Sequence, residues 1–306
     1  MGEKLVLFIK NLPVIRRIIA ISKVLILPGF GGMPVYDISQ FFIDAIKKGA
    51  ITTRASAVSF KFFLALFPGI IFLFSLIPYI PIDNFQNELL HSLRAVLPEA
   101  AYKTTSETII DLIKNKHGSL LSFGFITALY FATNGIMALL DAFNESYLVS
   151  DTRGNIQQRL VAIMLTIILT FIIMTGTSLI VFSQVGIDLL IDFQLLRDDW
   201  SVYLLQLGDW LILLGLIYFG ISSIYYFGPT SRTKWKFFSP GSTIATLLIL
   251  ITSLGFAYFV NNFGQYNKLY GSIGTLIVIM LWINFNSTIL IIGFELNASL
   301  KKAFSK

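Results

Sequence analysis

Cysteine is absent from the 306 residues, and histidine occurs only at His91 and His117. The first absence excludes disulfides, thiolate metal sites and cysteine nucleophiles. The second leaves little from which to build an imidazole metal centre. Charge is scarce as well: Asp, Glu, Lys and Arg make up 13% of the chain, about half of what a soluble globular protein carries. What fills the space is apolar. Hydrophobic residues account for 55%, with 28 Phe, 12 Tyr and 4 Trp, and the mean hydropathy is +0.76. Apolar runs of about 20 residues recur, each long enough to cross a hydrocarbon core of about 30 Å. The fold class is therefore all-α, a polytopic membrane protein. The net charge of +6 is read as topology and attraction to anionic lipid. Nucleic-acid binding is not expected, because no basic face with interleaved aromatics is present.

Six transmembrane helices are predicted near 55–80, 119–143, 160–186, 203–227, 240–262 and 272–297. Residues 1–50 precede them as interfacial helices. In "EKLVLFIKNLPVIRRIIAISKVLI", Lys10, Arg16, Arg17 and Lys23 alternate with aliphatic residues at helical spacing, without the small-residue cleavage site of a signal peptide. A second short helix, "YDISQFFIDAIKKGA", is expected with Asp37 or Ser39 as its cap and Gly49 as its stop. The loop over 81–118 predicts an outer helical hairpin, with Pro98 at a helix start. Residues 51–300 form the transmembrane domain and 301–306 a tail. Sixteen Lys and Arg fall in the loops on one side of this arrangement and six on the other. Positive loops stay in the cytoplasm, so both termini are expected inside.

The first span holds Arg54 at its inner end, Lys61 about two turns deeper, and Pro68-Gly69 as a candidate hinge. Spacing by seven puts Arg54, Lys61 and Pro68 on one side of the helix, and the expectation is that this side faces a polar interior. Lys61 is also near enough to the inner headgroups, about 10 Å beyond Arg54 at 1.5 Å per residue, to snorkel instead. In the second span Asn134, Asp141 and Glu145 form one stripe. The two carboxylates either pair with the cations or reach water. The last span carries Asn284, Asn286, Ser287 and Thr288 near its middle and Glu295 near its inner end. Its polar face supplies either interhelical hydrogen bonds or a binding surface.

Several local patterns occur in one order: "RASAVSF" with Phe67-Pro68, "NESY" at Asn144–Tyr147, "DTR" ending at Arg153, "YYFGPTSRTKWKFFSPGS" from Tyr225, and "YGSIGTLIVIMLWINFNSTILIIGFELNASL" from Tyr270. Together they resemble the YihY/BrkB family of bacterial inner-membrane proteins, historically labelled ribonuclease BN-like, over residues 35 to 300. The resemblance implies six transmembrane helices, a location in the bacterial cytoplasmic (inner) membrane and no settled biochemical activity. Its matching positions are Arg54, Pro68, Asn144, Tyr147, Arg153, Pro229, Pro240, Gly241, Tyr270, Gly271, Trp282, Glu295 and Asn297. Lys61 departs from it, since an aromatic or apolar residue is more usual there. The family's virulence label names no chemistry.

Hydrolysis of RNA needs a metal-binding cluster or a general acid and base pair. Both histidines fall in the outer loop, and no protease motif occurs. No enzyme activity, metal or cofactor is expected. The residues point to a transporter, a lipid or anion translocator whose cavity draws on Arg54, Lys61, Asn134, Asp141, Glu145, Asn284 and Glu295. Its partners would be membrane lipids, an anionic small molecule or phospholipid, and further copies in a homo-oligomer. The alternative is a non-transporting scaffold in envelope assembly, for which the 81–118 hairpin would matter more than the polar interior.

Overall fold

A computed structural model of the chain describes residues 13–26, 34–37, 39–40, 43, 50–79, 110–111, 115–146, 154–192, 199–229, 236–262 and 272–304. Among these residues the regular structure is helical, apart from one isolated bridge between Ile26 and Pro34. The helices are α1 (Pro13–Ser22), α2 (Ile51–Leu76, continued by a 3-10 turn at Ile77–Tyr79), α3 (Gly118–Asn144), α4 (Asn155–Asp192), α5 (Asp199–Phe227), α6 (Pro240–Asn262) and α7 (Ser272–Phe304). Six of them are long and apolar enough to cross a membrane. Their outward faces carry large apolar side chains such as Phe123, Phe171 and Phe182, exposed by 66%, 71% and 74%. Water does not favour that much bare aromatic surface, and acyl chains do.

α6 coincides with its predicted span, 240–262, while α4 and α7 run further than the spans predicted from hydropathy. α4 has 38 residues, about 57 Å at 1.5 Å each, almost twice the hydrocarbon thickness. No proline interrupts it and the apolar spacing continues through "IDLLID", so the helix has no reason to stop at the lipid boundary. α7 likewise continues to Phe304, into what was expected to be a tail. α2 stays helical through the candidate hinge Pro68-Gly69. The proline removes only the bond to the Leu64 carbonyl, and apolar surroundings favour keeping the rest.

The short helix before α2 begins earlier than expected. Residues 35–37 are already helical, so Asp37 lies inside it, and Ser39 donates to the Tyr36 carbonyl at 2.7 Å in place of capping. Gly49 lies outside the described residues. Ala50 takes the left-handed conformation that precedes α2, with φ 44°. Most of the proposed outer hairpin also lies outside the described residues. At its end Asn115 donates to Asp111 at 2.6 Å, just before α3.

The chain divides into two compact units. The first comprises 1–55, 140–252 and 288–306, and the second 56–139 and 253–287. In the first, Gly241 of α6 meets α7 so closely that a Cβ there would run into the Gly293 carbonyl oxygen. A Cβ on Gly293 would lie 2.5 Å from the Tyr225 hydroxyl and 2.8 Å from the Gly241 oxygen. The α6 and α7 backbones therefore touch directly, which in lipid substitutes dispersion contact for the missing hydrophobic drive. Beside this crossing Phe294 stacks on Phe143 at 4.1 Å, with Tyr225 edge-on to Phe143 at 5.8 Å. Tyr225 donates its hydroxyl to the Leu290 carbonyl at 2.7 Å.

In the second unit glycines of α3 meet α2. Gly124 lies against the Phe72 backbone, with its Cβ position 3.2 Å away, and Gly135 lies under the Phe62 ring. Gly69 has open space around it.

Candidate functional site

Two acceptors from two other helices, the Glu295 carboxylate and the Ala142 carbonyl, converge on the Arg54 guanidinium in the first unit. Arg54 enters one turn into α2, buried to 5% exposure, and Glu295 of α7 is fully buried at 0%. The Arg54 Nη2 donates to Glu295 Oε1 at 2.7 Å, and its Nη1 donates to the Ala142 carbonyl at 2.5 Å. Ser146 closes the second side of the carboxylate, donating to Oε2 at 2.8 Å.

Each contact has a physical reason. Ala142 is in the last turn of α3, where carbonyls lack intrahelical donors and carry the negative end of the helix dipole. A guanidinium there satisfies an orphan acceptor and meets favourable charge. Its planar fork leaves a second edge for a carboxylate. Arg54 Nε keeps no hydrogen-bond partner among the described residues.

The Glu295 side chain is held in place by its own helix. Gly293 two residues before it is pinned against α6, and Phe294 is stacked on α3. Two residues after it, Asn297 reaches the start of α6. There Asn297 Oδ1 accepts from the Gly241 N–H at 2.8 Å, and its Nδ2 donates to Ser239 Oγ at 2.8 Å. Ser239 is the N-cap, accepting from the Ser242 N–H at 3.2 Å, and Pro240 has no N–H to satisfy. The start of α6 is thus capped partly by its own serine and partly by α7.

Asp141 is half-buried and accepts from Gln158 Nε2 at 2.7 Å, joining the end of α3 to the first turn of α4. Glu145 is exposed. Asn144 keeps a buried Oδ1 without a partner among the described residues. Tyr147 and Arg153 lie outside the described residues.

Of the residues singled out in the sequence, the structure joins Arg54 to Glu295. It places Asp141 with Gln158 and leaves Glu145 on the surface. Lys61, Asn134, Asn284 and Asn286 belong to the second unit. Lys61 is exposed on α2, so it does not look into an enclosed interior as its spacing from Arg54 had indicated. Asn134 is partly exposed, and Asn284 donates to Ser59 at 3.2 Å, an interhelical bond. Asn286 turns back to the Trp282 carbonyl at 2.7 Å.

Sequence reasoning passed over Ser146, Gln158 and Asp209. Asp209 lies in the span Leu207–Phe227 and accepts from Ser183 at 2.5 Å. A lone carboxylate inside "LLQLGDWLILL" was a readable signal. Nothing in the sequence marked Ser146 or Gln158 as partners.

A family model described as virulence factor BrkB matches residues 42–306. A protein of Bacillus subtilis (strain 168) named ribonuclease-like YfkH is 32% identical over 254 residues, 82% of this chain and 90% of its own. Membrane proteins named UPF0761 are more distant. That of Tolumonas auensis is 23% identical over 86% of this chain and 84% of its own, and that of Alteromonas mediterranea is 24% identical over 88% and 89%. No solved structure matches the chain. The matched stretch takes in all six spans and both ends of the Arg54–Glu295 pair, and the chain belongs to the BrkB family of membrane proteins.

Proposed function

We propose that this protein translocates an anionic solute or phospholipid headgroup, with Arg54 as the group that receives the anion. The observation that carries this reading is the sealed Arg54–Glu295 pair. Removing both charges from water costs several kcal/mol per ion, and an apolar pair of similar volume would often be as stable or more so. Ionisable groups kept inside spans at that cost mark substrate or ion pathways by default. The Arg54 fork donates to two oxygens of a phosphate as readily as to two of a carboxylate. An entering anion takes the place of the Glu295 carboxylate on the Arg54 fork. The excess of basic residues in the loops at this end favours the cytoplasmic side for it, and in this reading the anion enters from there.

The ribonuclease-like name of the Bacillus relative is not carried over. RNA hydrolysis needs a general acid and base or bound metal, and the carboxylate beside Arg54 is already engaged by two donors.

The second reading is a non-transporting scaffold. It is favoured by the tightness of the same pair, which leaves Arg54 and Glu295 almost wholly shut off from solvent. Flux assays in proteoliposomes, screened with anionic lipids and metabolites, decide between them. Translocation predicts flux that Arg54→Gln and Glu295→Gln each cut at least about tenfold in correctly folded protein, a barrier increase of about 1.4 kcal/mol or more. If no substrate moves, while neutralising Lys61, Asp141 and Glu295 leaves cellular function intact and changes in 81–118 abolish it, the scaffold stands.

A further inference from the structure

The connection between α5 and α6 carries a second constellation, part of it on the surface. Phe238 is 59% exposed, yet its ring stacks on Tyr218 of α5 at 5.3 Å with planes 17° apart. Phe237 packs beside it, 4.9 Å from Phe238, 5.1 Å from Phe219 and 5.7 Å from Tyr226. Tyr218 is tied by its hydroxyl to Thr243 at 3.1 Å, which fixes the ledge to the first turn of α6. Lys236 is exposed at its edge. The same connection contains Arg232, Lys234 and Trp235 in sequence, and no acidic residue falls between Asp209 and Glu295.

Position gives this cluster its meaning. Lys236, Phe237 and Phe238 fall just before the start of the span Pro240–Val260, at the level where acyl chains give way to headgroups, and Tyr218 lies inside the span Leu207–Phe227. Aromatic rings favour that level, and cations beside it favour anionic lipid. A soluble partner would leave Phe238 bare until it arrived; a lipid covers the ring from the moment of insertion. We infer that Tyr218, Phe237, Phe238 and Lys236 form a binding ledge for an anionic phospholipid, the rings taking the glycerol and upper acyl region and Lys236 the phosphate. The inference stands on residues that the translocation proposal does not use, and it holds whether or not the chain transports.

The test is lipid titration into the full chain in detergent, with retained lipid counted by native mass spectrometry. Phosphatidylglycerol is the anionic probe and phosphatidylcholine the neutral one. The expected result is tighter retention of phosphatidylglycerol that weakens with salt, and a half-saturation about fivefold higher in Lys236→Gln, the effect of one charge near the surface. Phe238→Ser weakens it further, and Lys236→Arg with Phe238→Trp restores it. Equal retention of the two lipids overturns the inference. So does an unchanged half-saturation in Lys236→Gln, an exposed substitution that leaves the fold intact. Loss of the phosphatidylglycerol preference on adding millimolar inorganic phosphate overturns it too, by assigning the site to the free anion.

Discussion

Arg54 and Lys61 stand seven residues apart on α2, both cationic and both within the span Ile51–Tyr79, and the structure treats them oppositely. Arg54, in the first unit, is sealed against Glu295 and the end of α3. Lys61, in the second, is exposed. The difference extends beyond the two cations. The first unit closes with backbone touching backbone at Gly241 and Gly293 and with a cap that one helix lends another. The second sets Gly135 under a ring that can yield, leaves Gly69 in open space and links α7 to α2 through Asn284 and Ser59. A cation in a span is thus either sealed among fixed partners or left exposed on its helix, and the local sequence does not say which.

The sharpest way to break this contrast is to remove each cation. Arg54→Met should cost about 3–5 kcal/mol, because it strands the Glu295 charge in a buried site. Lys61→Met should cost nothing measurable. Apparent melting temperatures in detergent read both, and equal losses would erase the distinction. The double variant Arg54→Met with Glu295→Met should recover most of the loss, since no lone charge remains.

Glycine substitutions come next. Gly241→Ala should destabilise by about 1–3 kcal/mol, because the added methyl meets a carbonyl that cannot move without shifting α7. Gly69→Ala meets nothing and should stabilise by up to about 1 kcal/mol through helix propensity. If translocation bends α2 at Pro68-Gly69, that same variant slows flux while melting later, a combination that packing alone does not produce.

Asn297→Ala should cost about 1–2 kcal/mol by leaving the Gly241 N–H uncapped. Asn284→Ala in the second unit should cost only about 0.6 kcal/mol, the usual worth of an interhelical bond in lipid. A reversed order in the melting temperatures would show that the second unit, not the first, holds the tighter interior.

Much of the architecture was legible without coordinates. Twenty-residue apolar runs identify spans because the bilayer punishes every polar interruption. Their ends were not legible: the Asp192 end of α4 and the Phe304 end of α7 lie where water tolerates either helix or loop. The buried cluster was half legible. Arg54 and Glu295 stood out as charges near span ends, and Asn297 and Gly241 entered through the family resemblance. Which carboxylate meets Arg54 was hidden, because Asp141, Glu145 and Glu295 are all at suitable depth and only helix arrangement selects among them. The Lys61 expectation missed because a seven-residue spacing guarantees a shared side of one helix and says nothing of what lies opposite each residue. Ser146 was invisible as a partner, being one small hydroxyl among many.

The ion pair also sets a timetable for biosynthesis. Arg54 and Glu295 are 241 residues apart, so at roughly 5–20 residues per second the ribosome delivers the second partner on the order of 10–50 s after the first. Through that interval the nascent arginine waits at the bilayer surface, and α6 is inserted before the asparagine that completes its first turn exists. Chains halted just short of Glu295 should accordingly remain open to protease at the α2 and α6 ends, and release of the final helix should close both in one step.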